Sequence, residues 1–480
     1  MTTTTPSHRS QELAAASAAL PDHGRDRAPR VGAASSILGY FSPGRVPPMS
    51  RPAYVRDLVT IVFFSMTLAA VDNAFVSVYV KQTYAGVAPD VLLNFVVAIV
   101  GSASEIANIL SFFWVTASHG ARKAVFINGL QLAVILLVAA LALVPQSVPG
   151  LLILAGIILA ARVCWSGIIL LRPTVWRANY PRERAAIVGR FSSVQQVIVA
   201  VVGVALGLFL DRNPEVFKAA APAAALLGLL AVAATRGLRV RRERSLLAAE
   251  RDPAVGRRIG RPWQGPAIVW KVLRKDARFA QFMGCMFLLG FGNIMVVPIL
   301  VIVLRDQFSY GYLASIVLIS TIPYLLMPLA VPMWARLLDR AHVVRFRAIH
   351  SWSFCGAAVC FLLGVVLHAP AMLVAGSLLL AVGYGGGSIA WNLGHVDFSP
   401  PAETSQYMAT HVTLNGVRGL IAPLFAVAMY ERLRAWNLDV RESASLVLVL
   451  AVVLAVAGAA GFVWLNKSMS AIATMKRSHV

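Results

Sequence analysis

Charge is scarce in this chain. Asp, Glu, Lys and Arg make up 13% of its 480 residues, about half the quarter usual in soluble domains, which excludes an ordinary soluble enzyme, a disordered chain and a coiled coil. Acids are the scarcer sign, 21 against 43 bases, for a formal net charge of +22. Cysteine is limited to Cys164, Cys285, Cys355 and Cys360. All four lie in apolar stretches with neither C-x-x-C nor zinc-ligand spacing, so they define no metal site and no redox compartment. Walker loops, H-E-x-x-H, G-x-S-x-G and nucleotide fingerprints are missing. ATP-driven transport and intramembrane hydrolysis therefore lack their chemistry, and neither an enzyme nor a cofactor is expected.

What the chain has is apolar length. Hydrophobic residues are 58% of it, and a bilayer core of about 30 Å needs roughly 20 apolar residues per helix. Twelve such runs occur, near 58–80, 92–115, 124–144, 150–171, 191–210, 219–235, 279–304, 311–334, 350–368, 371–392, 409–430 and 444–465. The expected fold is an all-α integral membrane protein of twelve transmembrane helices in two six-helix halves. The sixth run is the weakest, short and mostly alanine, with Pro222 tolerated in its first turn.

Positive charge orients the spans. Lys and Arg on alternate sides number 34 and 7, with Arg162 and Arg418 left inside spans, which predicts both termini in the cytoplasm of a multi-pass protein of the cell (inner or plasma) membrane. The predicted parts are a disordered N-terminal tail over 1–55, a first half over 56–236, a basic central loop over 237–278, a second half over 279–466 and a tail over 467–480. The central loop places 13 basic residues beside the membrane, a pattern that reads as orientation and anchoring to anionic lipid rather than as a nucleic-acid surface. Its end, Trp270 to Phe279, alternates apolar and basic faces and is expected to lie in the interface.

Local sequence adds to the topology. After span 2 comes Gly120-Ala-Arg122-Lys123, with Ala117 upstream. After span 8 comes Leu337-Leu-Asp339-Arg340-Ala-His342. After span 4, Pro181-Arg-Glu-Arg184 runs to Gly189-Arg190, and Leu273 to Phe279 precedes span 7. Over about 55–470 the chain resembles the major facilitator superfamily of secondary transporters. Its loop motif G-x-L-x-D-R-x-G-R-R/K is kept in complementary halves by the first two segments, with Ala117 standing at the acid. The resemblance implies that Gly120, Arg122, Lys123, Asp339 and Arg340 are gating-loop residues. It also implies that helices 1, 2, 4, 5, 7, 8, 10 and 11 surround a central pathway. The helix 5 motif of drug/proton antiporters is absent, since Gly203-Val-Ala-Leu-Gly207 is followed by Leu208. The helix 4 motif is approached only by Arg162 and Gly167.

Four ionisable groups sit inside spans: Asp72, Glu105, Arg162 and Arg418. Each costs about 2.5–3.5 kcal/mol near the bilayer centre and should face a bundle interior or a wet cavity. At 1.5 Å per residue, Glu105, Arg162 and Arg418 all lie roughly 14–15 Å from the cytoplasmic ends of their helices, and Asp72 about 21 Å. Arg162 is expected to pair with Glu105, and Glu105 with Arg418 to close one side of the pathway. Asp72, with no basic neighbour in its own sequence, is expected to be a reversibly protonated group. Simple ion pairs that hold helices in register are the alternative. Asn73, Trp165, Asn293, Tyr384, Trp391, Asn392 and Asn415 accompany these charges and would line a small polar pocket with them. His395 and His411 are weaker candidates, as proton relays.

The function these features predict is secondary active transport by alternating access, coupled to protons, of a small organic solute that two pathway arginines mark as a possible anion. The alternative is a non-transporting receptor or assembly protein on the same fold. The expected partners are that solute, protons and anionic lipid, with no nucleic acid and no metal, and a monomer is expected.

Overall fold

The computed structural model describes residues 42–180, 184–251, 265–395, 397–399 and 404–478. Met1–Arg45 and Val46–Val480 are separate compact units. Of the first, residues 42–45 are described, with one turn of 3-10 helix at Pro43–Arg45. The second carries all the spans.

Among the described residues, eleven helices are long and apolar enough to cross a membrane, and a bent pair supplies the twelfth. In chain order, span 1 is Pro48–Thr83, span 2 the pair Asp90–Gly101 and Ala103–Leu110, span 3 Lys123–Leu143, span 4 Val148–Asn179, span 5 Ile187–Arg212 and span 6 Val216–Arg236. The second half has span 7 Ala277–Asp306, span 8 Tyr312–Arg340, span 9 Val343–Val366, span 10 Pro370–Trp391, span 11 Gln406–Ala435 and span 12 Val440–Ser470. Their outward faces carry Leu136, Leu152, Leu226 and Leu329 exposed, as hydrocarbon contact requires once backbone polar groups are satisfied within helices.

Helical order begins earlier than the apolar run. Val46 and Ser50 are buried, the Ser50 hydroxyl donates to the Asn179 carbonyl at 2.9 Å, and helix starts at Arg51. The tail expected through residue 55 therefore gives way to packed chain by Val46. The central loop also contains helix, Glu243–Glu250 and Gly265–Lys275. The second of these buries Val269 and Val272 and exposes Lys271, Arg274 and Lys275, and with them the apolar Trp270. Residues 181–183, 252–264 and 401–403 lie outside the described set, and with them Pro181, Arg182 and Glu183 of the loop after span 4.

Three spans are interrupted, each for a local reason. Span 1 breaks at Asp72, whose backbone is extended and whose carboxylate accepts from Ala74 N and Phe75 N, capping a new helix, Asn73–Thr83. Span 2 bends by 58° between Gly101 and Ala103. Span 8 widens into a π-helical turn over Val317–Thr321. There Ile322 N–H bonds back five residues to Val317, so the next bond in that register would come from residue 323, a proline without an N–H. The Leu318 carbonyl this frees accepts instead from the Ser377 hydroxyl of span 10 at 2.7 Å.

The halves meet where span 2 packs on span 11, span 5 on span 8, and spans 1 and 2 on span 7. Glycines permit the closest approaches. A methyl group at Gly419 would overlap Glu105, and one at Gly416 would overlap the Asn108–Ile109 backbone.

Candidate functional site: a charged cavity between the halves

A partly open cavity of about 490 Å³ lies between the halves, within the range that holds small-molecule ligands. The first half contributes Asn73, Ser104, Glu105, Asn108, Arg162, Trp165 and Gln196. The second contributes Asn293, Tyr324, Arg347, Phe354, Tyr384, Trp391, Asn415 and Arg418. The structure thus brings together nine of the eleven pathway residues read from sequence. Asp72 stands behind the lining, and Asn392 follows Trp391 on the same helix with its side chain outside the described set.

The pairing of the charges differs from the sequence reading. Arg162 pairs with Asp72, Nη2 to Oδ1 at 3.6 Å, rather than with Glu105. The break in span 1 is the reason: it turns the Asp72 carboxylate toward span 4 while the same carboxylate caps the helix that follows. Glu105 accepts from Asn73 Nδ2 at 3.1 Å, and Asn73 in turn accepts from the Ser104 hydroxyl at 3.1 Å. Arg418 does not bond Glu105 in this conformation. It donates to the Met286 carbonyl at 2.6 Å and to Asn415 Oδ1, both within the second half. A methyl group at Gly290 would overlap its guanidinium, so a glycine on span 7 makes the space that the arginine fills.

Several donors facing this region make no hydrogen bond among the described residues: Arg162 Nε, Arg162 Nη2 beyond its ion pair, Arg418 Nε and Arg347 Nε. Sequence reasoning misses Arg347 because it lies in the first turns of span 9, Val343–Val366, where it reads as a loop charge that sets orientation. The structure buries it to 4% exposure. Its signal in the sequence is His350, one turn further along the same face.

The histidines divide. His350 is fully buried, its Nε2 2.8 Å from the Gly383 carbonyl. His411 packs edge-on against Trp391, ring centroids 4.3 Å apart. His395, just beyond span 10, is buried, which lowers its imidazole below the usual range.

The gating-loop residues do not join the cavity. Gly120, in the left-handed region at φ 66°, is held on both sides by the central loop. Its N–H donates to Glu250 at 3.0 Å, and its carbonyl accepts from Arg251 Nη2 at 3.1 Å. Lys123 bonds the same Glu250 at 2.8 Å and Arg122 pairs with Glu243 at 3.0 Å. Glu250 thus faces the loop whose own acid position is Ala117. Asp339 and Arg340, expected in the corresponding loop of the second half, form the last turn of span 8 and are exposed.

At the opposite end a polar network joins the halves. Lys81 Nζ, almost fully buried, pairs with Asp306 at 2.8 Å and donates to Asn94 Oδ1 at 2.9 Å. Asn94 donates to Glu431 at 2.6 Å. Asp211 accepts from Tyr312 N at 2.7 Å and Leu313 N at 3.2 Å, capping span 8 from span 5. Thr83 bonds the Tyr312 hydroxyl at 3.0 Å.

Comparison with known proteins gives a family model, described as Major Facilitator Superfamily, that matches residues 58–423. No curated protein matches in sequence. Among solved structures, an auto-inhibited POT family peptide transporter is similar with a TM-score of 0.64 at 14% identity, over 86% of this chain and 96% of that one. A mutant of the nucleoside transporter NupG gives 0.63 at 12%, over 85% and 98%. A D-xylose-proton symporter gives 0.61 at 12%, over 84% and 96%. At these identities the structural likeness carries the fold alone.

Proposed function

The chain belongs to the major facilitator superfamily, and from that membership we propose that it carries a small organic anion across the cell membrane by alternating access, coupled to protons. The observation that carries this reading is the cavity itself. Both halves line it, and each supplies charged groups that are costly to keep away from water unless a ligand or a proton uses them. Transporters of this architecture bind solute near the midplane between repeats that rock about the site.

Proton coupling falls to Glu105 and Asp72. Among the described residues Glu105 enters no ion pair and accepts from the neutral Asn73 amide, so it holds or releases a proton without first breaking an ion pair. The titratable groups around the two carboxylates are Arg162, Tyr324, Tyr384 and Arg418. The D-xylose-proton symporter, similar in fold, supports the same reading by analogy. The basic end, with the central loop and both termini, faces the cytoplasm and anionic lipid on the charge asymmetry. Segments 56–236 and 279–466 move as the two bodies, 237–278 links them, and the protein acts as a monomer.

Reconstitution into proteoliposomes tests this. An imposed pH gradient should drive accumulation of a carboxylate solute, and Glu105→Gln should abolish the gradient-driven component while leaving solute exchange. Uptake by Glu105→Gln with an unchanged response to the gradient would remove Glu105 from coupling.

A further inference from the structure

The cavity has more positive charge than its carboxylates match. Arg162 has Asp72, and Glu105 shares the lining with Arg418. Arg347 enters none of the ion pairs among the described residues. With both acids ionised, three guanidiniums of the lining meet two carboxylates, Glu105 in the lining and Asp72 behind it, an excess of one. A buried cation without a counter-ion is expensive, and this one opens onto a cavity large enough for a ligand.

Arg347 is also held in place by a neutral device. His350 donates from Nε2 to the Gly383 carbonyl, which leaves Nδ1 as an acceptor facing Arg347 Nη1 at 3.4 Å. Trp334, Phe346 and Phe354 surround the imidazole at ring distances of 4.8, 5.0 and 5.4 Å. The guanidinium is therefore oriented without being neutralised, the condition for a group that waits for an anion.

We propose that Arg347, with Arg418, receives the carboxylate of a small aromatic monoanion, whose ring lies against the Tyr384 and Trp391 wall of the cavity. This rests on the transport reading for its biological use but not for its chemistry. One excess positive charge matches one negative charge, and a phosphate monoester, carrying close to two at neutral pH, fits it less well. The planar fork of arginine suits a carboxylate bidentately. Aromatic walls, including Tyr324 packed 6.2 Å from Tyr384, suit a ring.

The test uses the full chain in detergent, with benzoate, phenyl phosphate and benzamide as probes, read by thermal shift and by quenching of tryptophan fluorescence. Benzoate should bind saturably, at least tenfold tighter than the isosteric neutral benzamide and tighter than phenyl phosphate. Arg347→Gln should weaken benzoate at least tenfold and leave benzamide unchanged. Arg347→Lys, which keeps the charge and loses the fork, should fall between. The unliganded melting temperature reports whether each variant folds, and if Arg347→Gln does not, Arg347→Lys with the three probes decides alone: benzoate affinity equal to the unsubstituted protein overturns the proposal. Equal binding of benzamide and benzoate also overturns it, as do tighter phenyl phosphate and the absence of any benzoate response up to about 10 mM, beyond the millimolar affinities of the weakest specific sites. Arg347-dependent benzoate binding without uptake into proteoliposomes would sink transport and keep the site. Uptake of a solute indifferent to Arg347 would sink the site and keep transport.

Discussion

The two ends of the cavity are tied in opposite senses. At the end away from the basic loops the ties run between halves: Lys81 to Asp306, Asn94 to Glu431, and Asp211 to the first N–H groups of span 8. At the basic end the ties stay within one half or fasten the adjoining end of the central loop to it. Asp57 bonds Tyr180 within the first half and Glu250 of the central loop bonds Lys123 of that half, while Tyr407 bonds Asp276 at the loop's end and Val343 N bonds Asp397 within the second. One set therefore holds a conformation and the other holds a body. Breaking the first should change which end is open, and breaking the second should change only how stable each half is.

The largest effect is expected at Lys81. Lys81→Met leaves Asp306 with only the looser Arg305 contact at 3.8 Å and Asn94 Oδ1 without its donor, and losing one member of a buried pair costs about 3 kcal/mol. A reporter cysteine at Thr83 should then react faster with an impermeant maleimide, and the exchange Lys81→Asp with Asp306→Lys should slow it again. Unchanged labelling in Lys81→Met would end the distinction between the two ends.

Arg162→Ala comes next. It leaves Asp72 unpaired inside the first half, for a loss of about 2–3 kcal/mol, with Arg162→Lys milder. The melting temperature should fall while labelling at Thr83 keeps its rate, because this tie belongs to a body. Asp211→Asn weakens a charged cap that crosses the halves, by about 1–2 kcal/mol, and labelling should rise without a matching drop in melting temperature. Ser377→Ala returns the Leu318 carbonyl to an unsatisfied state at about 1 kcal/mol, and this loss should appear in melting alone. The smallest effect is at Arg122, whose side chain is 63% exposed in its pair with Glu243. Arg122→Ala should lie within about 0.5 kcal/mol of the unsubstituted protein in both measurements.

Hydropathy made the spans legible, because a bilayer imposes length and composition on every one of them. It also gave depth, which is why Glu105, Arg162 and Arg418 meet at one cavity. Partners were less legible. Depth and helical period place a side chain on a level and a face, but the choice of Asp72 over Glu105 for Arg162 was settled by a break in span 1 that no proline or glycine announces. Arg347 and Lys81 were hidden by the rule that oriented the chain, since a basic residue near a span boundary is counted as a topological signal before it is considered as a buried group. Glu250 was hidden by distance in sequence, more than a hundred residues from the glycine it grips.

The broken first span has a mechanical side. Asn73–Thr83 is a rigid rod with Asp72 at its root, where a carboxylate both caps it and meets Arg162, and with Lys81 near its tip, where a cation meets Asp306. The nine steps from Asp72 to Lys81 span about 13 Å, so a tilt of roughly 10° about the root sweeps the tip by about 2 Å. Added to the present Lys81–Asp306 separation of 2.8 Å, such a sweep takes the pair out of hydrogen-bonding range. A lever of this length turns a small rotation at the cavity into the release or return of a lock at the far surface.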